Sequence, residues 1–540
     1  MHIASFAIKD VVSADRIIPI LSALGPLRGK APQRYIVLLA PASDMENLDL
    51  GTVRYIFDEL NEILDNYGDV VKGHAWSLVN AIDAYTNLLR GYLVYFSYGE
   101  IENIVGRVVD LLNELGKFKT SLGVIAWTYA LDPALGSEYV RGLMEEKLGI
   151  DVVDKAYGIL KELSRLRGLV QELMRYEEFM GYVESKFMKA DEEAVKKVIL
   201  EVASLLKKAL AHYRLNNDEL DEAKKLFNKV AEEDREIGVY EDYLIDRSLA
   251  LRAEAIESSL VSDDLVKKFQ QLYKEAFDEE HFMPTARYLS VTSGTLGNYL
   301  VSLALTGDYK TISKLLEEHW RVLNANYEAS VLARLMLNAL LRPRGGLSGE
   351  LEGKLSVNPE ELINAFGSYM YSEFLPALRV AFGVKTPEDG IKLCEEFNDE
   401  GCVDSVLAVK GNSAAVKQLR ERLINVFQGA LIVRLNSFRE LGVDIDTVLN
   451  EFMGLVNGLD GKSLAQLIAP IDSRASLALM LHALINGDER LARAHALMGA
   501  VGATGSKLLT RLFLEAYRAC CDPNNDEFRR AIARLFFYHV

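Results

Sequence analysis

Apolar residues recur every three to four positions along most of this chain. In "VRYIFDELNEILDNYG", Val53, Ile56, Phe57, Leu60, Ile63 and Leu64 fall on one side of a helix, and Gly68 stands as a stop signal. "IVGRVVDLLNELGKF", "KAYGILKELSRLRGLVQELM" and "AVKKVILEVASLLKKALAHY" follow the same period. Sustained alternation is scarce. The one strand candidate is "RYIVLLAPA", Arg34–Ala42, between Pro32 and Pro41, and so brief a run reads equally well as a short buried helix. The pattern predicts an all-α protein.

The helical stripes are punctuated in a repeating way. "LALTGDYKTI" around Gly307 is echoed by "HALINGDERLA" around Gly487 and "LAVKGNSAAV" around Gly411. Each time an Ala/Leu-rich helix ends, a Gly follows, then Asp or Asn, then a new amphipathic stripe. Gly accepts the left-handed backbone that closes a helix. The Asp or Asn after it accepts from the unpaired N–H groups of the next one. The match continues downstream in two copies, where Arg334 in "VLARLMLNALL" and Arg511 in "LLTRLFLEAYR" hold the same place in a Leu-rich helix.

A further copy, "KKALAHYRLNNDELDEAKKLFNKVAEE", resembles the tetratricopeptide repeat, a helix–turn–helix of about 34 residues. Leu210-Ala211 stand where that family has Leu-Gly, Ala223 and Phe227 supply its A-x-x-x-F, and Asp218-Glu219-Leu220 replace its Gly-Asp-Tyr turn. Gly307-Asp308-Tyr309 match that turn directly, with Ile312 and Leu316 in place of Ala and Phe. The consensus Pro is missing from both copies. The resemblance implies an elongated α-solenoid of degenerate repeats, whose units bury their apolar sides only by stacking. It also implies a concave face that holds peptides or protein segments. The degenerate versions it resembles serve archaeal signalling assemblies as sensor arms beside STAND-type NTPases, which would make a separate NTPase chain a partner.

The clearest break is "RPRGGLSGELEGKLSVNPEEL", rich in Gly and Pro. The expected organisation is an N-terminal segment over 1–45, a helical-repeat arm over 46–342, a hinge over 343–358 and a second arm over 359–540. A softer break lies near Ala190, where Asp191 is placed to cap a helix.

Length and charge narrow the class. A chain of 540 residues exceeds one compact core. Its 78 acidic against 61 basic residues leave a net charge of −17 with no basic stripe, which argues against nucleic acid and anionic membrane and for a partner with a basic segment. The start, "MHIASFAIKDVVSADR", lacks the basic head and apolar core of a signal peptide. The uncharged run Tyr288–Gly307 is long enough for a bilayer but is filled with Ser, Thr, Asn and Gly. A cytoplasmic chain is expected. Its four cysteines read as ordinary thiols, with a Cys394–Cys402 bridge left open if the acidic loop between them folds back.

Candidate chemistry is thin. "NGLDGKSLAQL" contains Gly461-Lys462-Ser463, but Val456 stands where a phosphate loop needs its first Gly, so the Gly–Lys pair reads as a helix stop. "GPLRGKAP" near Lys30 fails as well. The histidines His2, His74, His212, His281, His319, His482, His495 and His539 form no H-E-x-x-H, and Asp278-x-x-His281 stands alone. "DEEHF" and "LEEHW" read as helix ends packed over Phe282 and Trp320. "GLSGE" at Ser348 is not a nucleophile elbow. Cys520-Cys521 lie close to His539, but the intervening "DPNNDEF" reads as an interhelical loop, and buried thiols are usually inert. Glu145-Glu146, Glu192-Glu193, Glu232-Glu233 and Glu395-Glu396 read as helix surface, and Tyr85, Tyr92, Tyr95, Phe96 and Tyr98 as core filling or groove anchors. No catalytic, cofactor-binding or metal-binding residue is assigned. The expected function is a non-enzymatic scaffold or sensor that binds protein. The rivals are an enzyme with its site between the arms and a purely structural assembly subunit.

Overall fold

The computed structural model describes residues 50–158 and 207–540, apart from 74, 94–95, 119–122, 124–125, 128, 132, 134–136, 155, 237–239, 259–261, 277–285, 346–348, 397–399 and 504. Among these residues the protein is all-α, without a β-strand and with one isolated bridge between Met370 and Pro470. The strand candidate Arg34–Ala42 and the break near Ala190 lie outside the described residues.

Two compact units interleave along the sequence. The first takes its described residues from those up to Tyr213, from Ala223–Ala250 and from Lys274–Thr292. It contains α1 (Leu50–Lys72), α2 (Ala75–Tyr92), α3 (Tyr98–Leu115), α4 (Glu138–Leu148), a helix over 207–216, and most of α5 (Leu220–Glu236) and α6 (Tyr240–Glu257). Helices α1 to α4 pack each on the next. The apolar side expected of α1 is in place, with Phe57 and Leu60 buried, but the helix runs on through Gly68 to Lys72. Gly costs only about 1 kcal/mol in a helix interior and does not end one unaided. At α3, Ser97 and Glu100 form a reciprocal capping box. The core reading of the aromatic run holds for Tyr85, whose hydroxyl donates to Asn61, and for Phe96, edge-on to Phe57; Tyr98 is exposed.

The second unit holds Arg214–Glu222, Leu251–Tyr273 and Ser293–Val540. Its helices are most of α7 (Asp263–Glu275) and most of α8 (Ala286–Thr306), then α9 (Tyr309–Leu323), α10 (Tyr327–Leu341), α11 (Gly349–Leu355), α12 (Pro359–Phe366), α13 (Leu375–Ala381), α14 (Pro387–Glu396), α15 (Glu400–Val409), α16 (Ser413–Val433), α17 (Leu435–Glu440), α18 (Ile445–Val456), α19 (Gly461–Ile468), α20 (Ser473–Ile485), α21 (Glu489–Gly502), α22 (Lys507–Ala519) and α23 (Asp526–His539). α20 to α23 pack consecutively, and α10 lies against both α20 and α23. The Gly/Pro-rich stretch after α10 forms a 3-10 turn at Arg342–Arg344, then α11, then α12, which Asn358 caps and Pro359 opens.

The repeated turn has one geometry. Gly307, Gly411 and Gly487 all have positive φ, and the residue after each donates back five positions: Asp308 to Leu303 O, Asn412 to Leu407 O, Asp488 to Ala483 O. This is the six-to-one bond of a helix closed by a left-handed residue. The same Asp308, Asn412 and Asp488 side chains then accept from Thr311, Ala415 and Leu491 N–H groups, so one residue closes a helix and opens the next. The fourth turn obeys the rule without Gly. Asp218 has φ 70°, and Glu219 donates to Arg214 O. Ala211, Ala223, Phe227, Ile312 and Leu316 are all buried, so the substituted residues of the Gly307 copy still face its interior.

Arg334 and Arg511 each clamp an acidic side chain from another element. Arg334, in α10, donates to Glu361 at 2.9 Å and to the carbonyls of Lys354 and Ser356, and stacks over Trp320. Arg511, in α22, grips both carboxylate oxygens of Asp218 at 2.6 and 2.8 Å. That grip is a physical reason for Asp where Gly is usual. Further arginines satisfy carbonyls at helix ends: Arg529 to Ala304, Arg342 to Ile485, and Arg252 to Phe537 and Tyr538.

The thiol expectation does not stand. Cys394 and Cys402 are bonded, with Cα atoms 5.4 Å apart, and tie α14 to α15 within a core of Ala377, Val380, Val406, Val409 and Ala465. Cys520 and Cys521 are bonded to each other at the turn between α22 and α23. α14 and α15 pack on one another, which brings Cys394 and Cys402 together.

Candidate interaction surface

Helix α16 is anchored by every fourth residue: Ala415, Leu419, Leu423, Phe427 and Leu431 are buried. Phe427 stacks on Phe452 of α18 with centroids 3.7 Å apart. Its outer face changes character along its length. The first half carries Lys417, Glu421 and Arg422, with Arg422 paired to Glu373 and lying over Phe374. The second half presents Val426, Gly429, Ala430 and Val433, which helical spacing places in one stripe, with Ile432 beside them. Val426, Ile432 and Val433 are 38%, 61% and 81% exposed.

The next residue inverts the usual order. Arg434 is only 8% exposed and donates to Ser506 O at 3.1 Å and Thr510 Oγ1 at 2.7 Å. Burial lowers its pKa from the ordinary arginine value. A guanidinium is thus inside and a valine outside at adjacent positions, against the solvation preference of both. Exposed acidic residues follow in the next two helices and the turn between them: Glu440, Asp444, Asp446 and Glu451.

The groups singled out by sequence take structural places. Gly461 begins α19 rather than ending a helix: Asp460 caps it through the Ser463 N–H, and a side chain at Gly461 would collide with the Ala408 carbonyl. The Ser463 N–H, one of those a phosphate would need, is thus already held by the cap. His495 is fully buried, and burial brings its pKa down to about 3 and that of His482 to about 4. His539 is also pushed down, and His319 sits edge-on to Tyr273 with its pKa lowered by burial. These rings are neutral at pH 7. Trp320 is half-buried under Arg334. Among the described residues no three His, Cys, Asp or Glu are grouped to hold a metal ion. Glu146, Glu232 and Glu395 lie on helix surfaces. Lys30, His2, His74, Asp278, His281, Phe282, Ser348, Tyr95 and Glu192-Glu193 fall outside the described residues.

No helix among the described residues is long and apolar enough to cross a membrane. The uncharged run is α8, whose hydroxyls turn onto helix carbonyls, Thr292 to Tyr288 O, Ser302 to Tyr299 O and Ser293 to Leu323 O. No family, curated protein or solved structure matches this chain.

Sequence reasoning missed the α16 stripe. The signal was present: the buried ladder 415, 419, 423, 427, 431 continues three residues on to Arg434, which leaves Ile432 and Val433 outside.

Proposed function

We propose that this protein is a non-enzymatic helical scaffold that binds a protein or peptide partner over the outer face of α16. One observation carries the reading: Val433 is 81% exposed beside a buried Arg434. An apolar stripe held in water next to an inward guanidinium costs stability in the free chain, and a partner that covers the stripe recovers it. The acidic residues that follow suit a partner whose apolar anchor is flanked by Lys or Arg. A tetratricopeptide-like arrangement of helix pairs is supported by the four turns with a common six-to-one bond. Nothing among the described residues singles out an NTPase as the partner.

The test pairs affinity capture with sedimentation, using the wild type and the double variant Val426→Asp, Val433→Asp. The expected result is a discrete protein retained by the wild type and lost from a variant that melts at the same temperature. Equal retention by both would remove α16 from the proposal. Self-association of the wild type, lost in the variant, would make the partner a second copy.

A further inference from the structure

We infer that the junction of the 207–216 helix, α5 and α6 is a proton-held catch, closed while one of Asp234 and Asp246 carries a proton beneath the Lys208 ammonium and loosened when that proton leaves. The geometry is specific. Lys208 Nζ lies 2.8 Å from Asp246 Oδ2, 3.2 Å from Asp234 Oδ2 and 3.8 Å from Asp242 Oδ2. All three aspartates are buried. Asp234 from α5 and Asp246 from α6 thus reach the same ammonium from two different helices. One ammonium balances one carboxylate, and a further buried carboxylate drawn to the same nitrogen is relieved by taking up a proton.

Helix ends indicate which one carries it. Asp234 lies in the last turn of α5, where the free carbonyls disfavour a negative charge. Asp242 lies in the first turn of α6, where a negative charge is favoured, and Asp246 stands one turn further on. Burial is the main cause that pushes Asp234 up to about 8; the neighbouring aspartate charges add to it and Lys208 opposes it. Burial raises Asp246 too. Burial works against the Lys208 ammonium, but the three acids together outweigh it and raise its pKa. Among the described residues, Lys208 from the 207–216 helix and Asp242 from α6 are the charged groups facing the pair. Lys207 is engaged by Glu233, Arg247 by Asn228, and Glu241 is buried one position before Asp242.

The sign follows from the direction of the shift. A carboxyl raised in the folded state adds stability that is fully present below the ordinary carboxylate value of about 4, and that is lost as pH rises through about 8. The raised Lys208 acts only above about pH 10. The catch therefore loses its stability between the ordinary carboxylate value and about pH 8, before Lys208 begins to titrate.

The experiment uses the full chain. Infrared difference spectra should show a protonated carboxyl at pH 6 that titrates away by pH 9, is missing from Asp234→Asn and titrates at lower pH in Asp246→Asn. Urea unfolding followed by a probe on residues 207–250 should show the folding constant of the wild type falling roughly 10- to 100-fold from pH 6 to 8. Asp234→Asn, which keeps the shape of the side chain and removes the titrating group, should lose most of that fall. A wild type without a titrating carboxyl signal overturns the proposal, and so does a variant with unchanged pH dependence. Should neither variant fold, the wild-type infrared titration decides alone.

Discussion

The two units bury charge in opposite ways. In the second, each clamping arginine meets its match: Arg334 has Glu361 and two carbonyls, and Arg511 has both oxygens of Asp218. In the first, one lysine faces three aspartates. A balanced pair with its remaining donors satisfied is stable across a wide pH range. An unbalanced cluster must take up protons, and so becomes sensitive to pH. The contrast extends to direction. Glu361 is penalised by burial, but Arg334 and the Asn358 N–H hold its pKa below the ordinary value. Its contribution is present above about pH 4.3 and is lost as pH falls through the lowered value. Asp234 does the reverse. The lesson is that burial alone does not say what a charge does; the count of its partners does.

The largest way to break this contrast is Arg334→Ala. It strands Glu361 and two carbonyls and should cost about 3–5 kcal/mol in urea unfolding. Arg334→Lys should recover only part of that, since an ammonium cannot span the same fork. If both variants unfold like the wild type, the clamp does not matter. Next comes the covalent tie. Removing Cys394–Cys402 by the double Ala substitution should cost about 2.5 kcal/mol, equally at pH 6 and pH 9, because a disulfide does not titrate. A pH-dependent loss would show that the bond is not the cause.

A smaller effect separates the two roles of Asp218. Asp218→Ala loses the Arg511 pair and keeps the left-handed backbone, whereas Asp218→Gly loses the pair and relieves the strain. The Ala variant should be about 1 kcal/mol less stable than the Gly variant by denaturant titration. Equal stabilities would mean that the positive φ costs nothing there. Smallest is Val433→Asp. It should move stability by less than about 0.5 kcal/mol, since the site is on the surface, while binding of a partner, scored by co-sedimentation, falls sharply.

Residues close in sequence made much of the fold readable. The Gly307, Gly411 and Gly487 turns could be read directly because closing and capping involve groups within five positions of each other. Gly68 misled because a lone Gly is a stop only where a cap follows. Gly461 misled in the other direction, since Asp460 before it makes it a start. The α16 surface was half legible: the ladder was countable, but the fate of Arg434 depended on Ser506 and Thr510, more than seventy positions away.

The sequence by itself determined that this is a helical protein, where its recurrent turns fall, and that those turns repeat, since period and capping are local physics. Only the tertiary structure decided that Asp218 meets Arg511, that Cys394 meets Cys402, and that Lys208 gathers Asp234, Asp242 and Asp246. Those outcomes depend on which helix faces are pressed together and kept from water. No residue type announces its partner in advance of that packing.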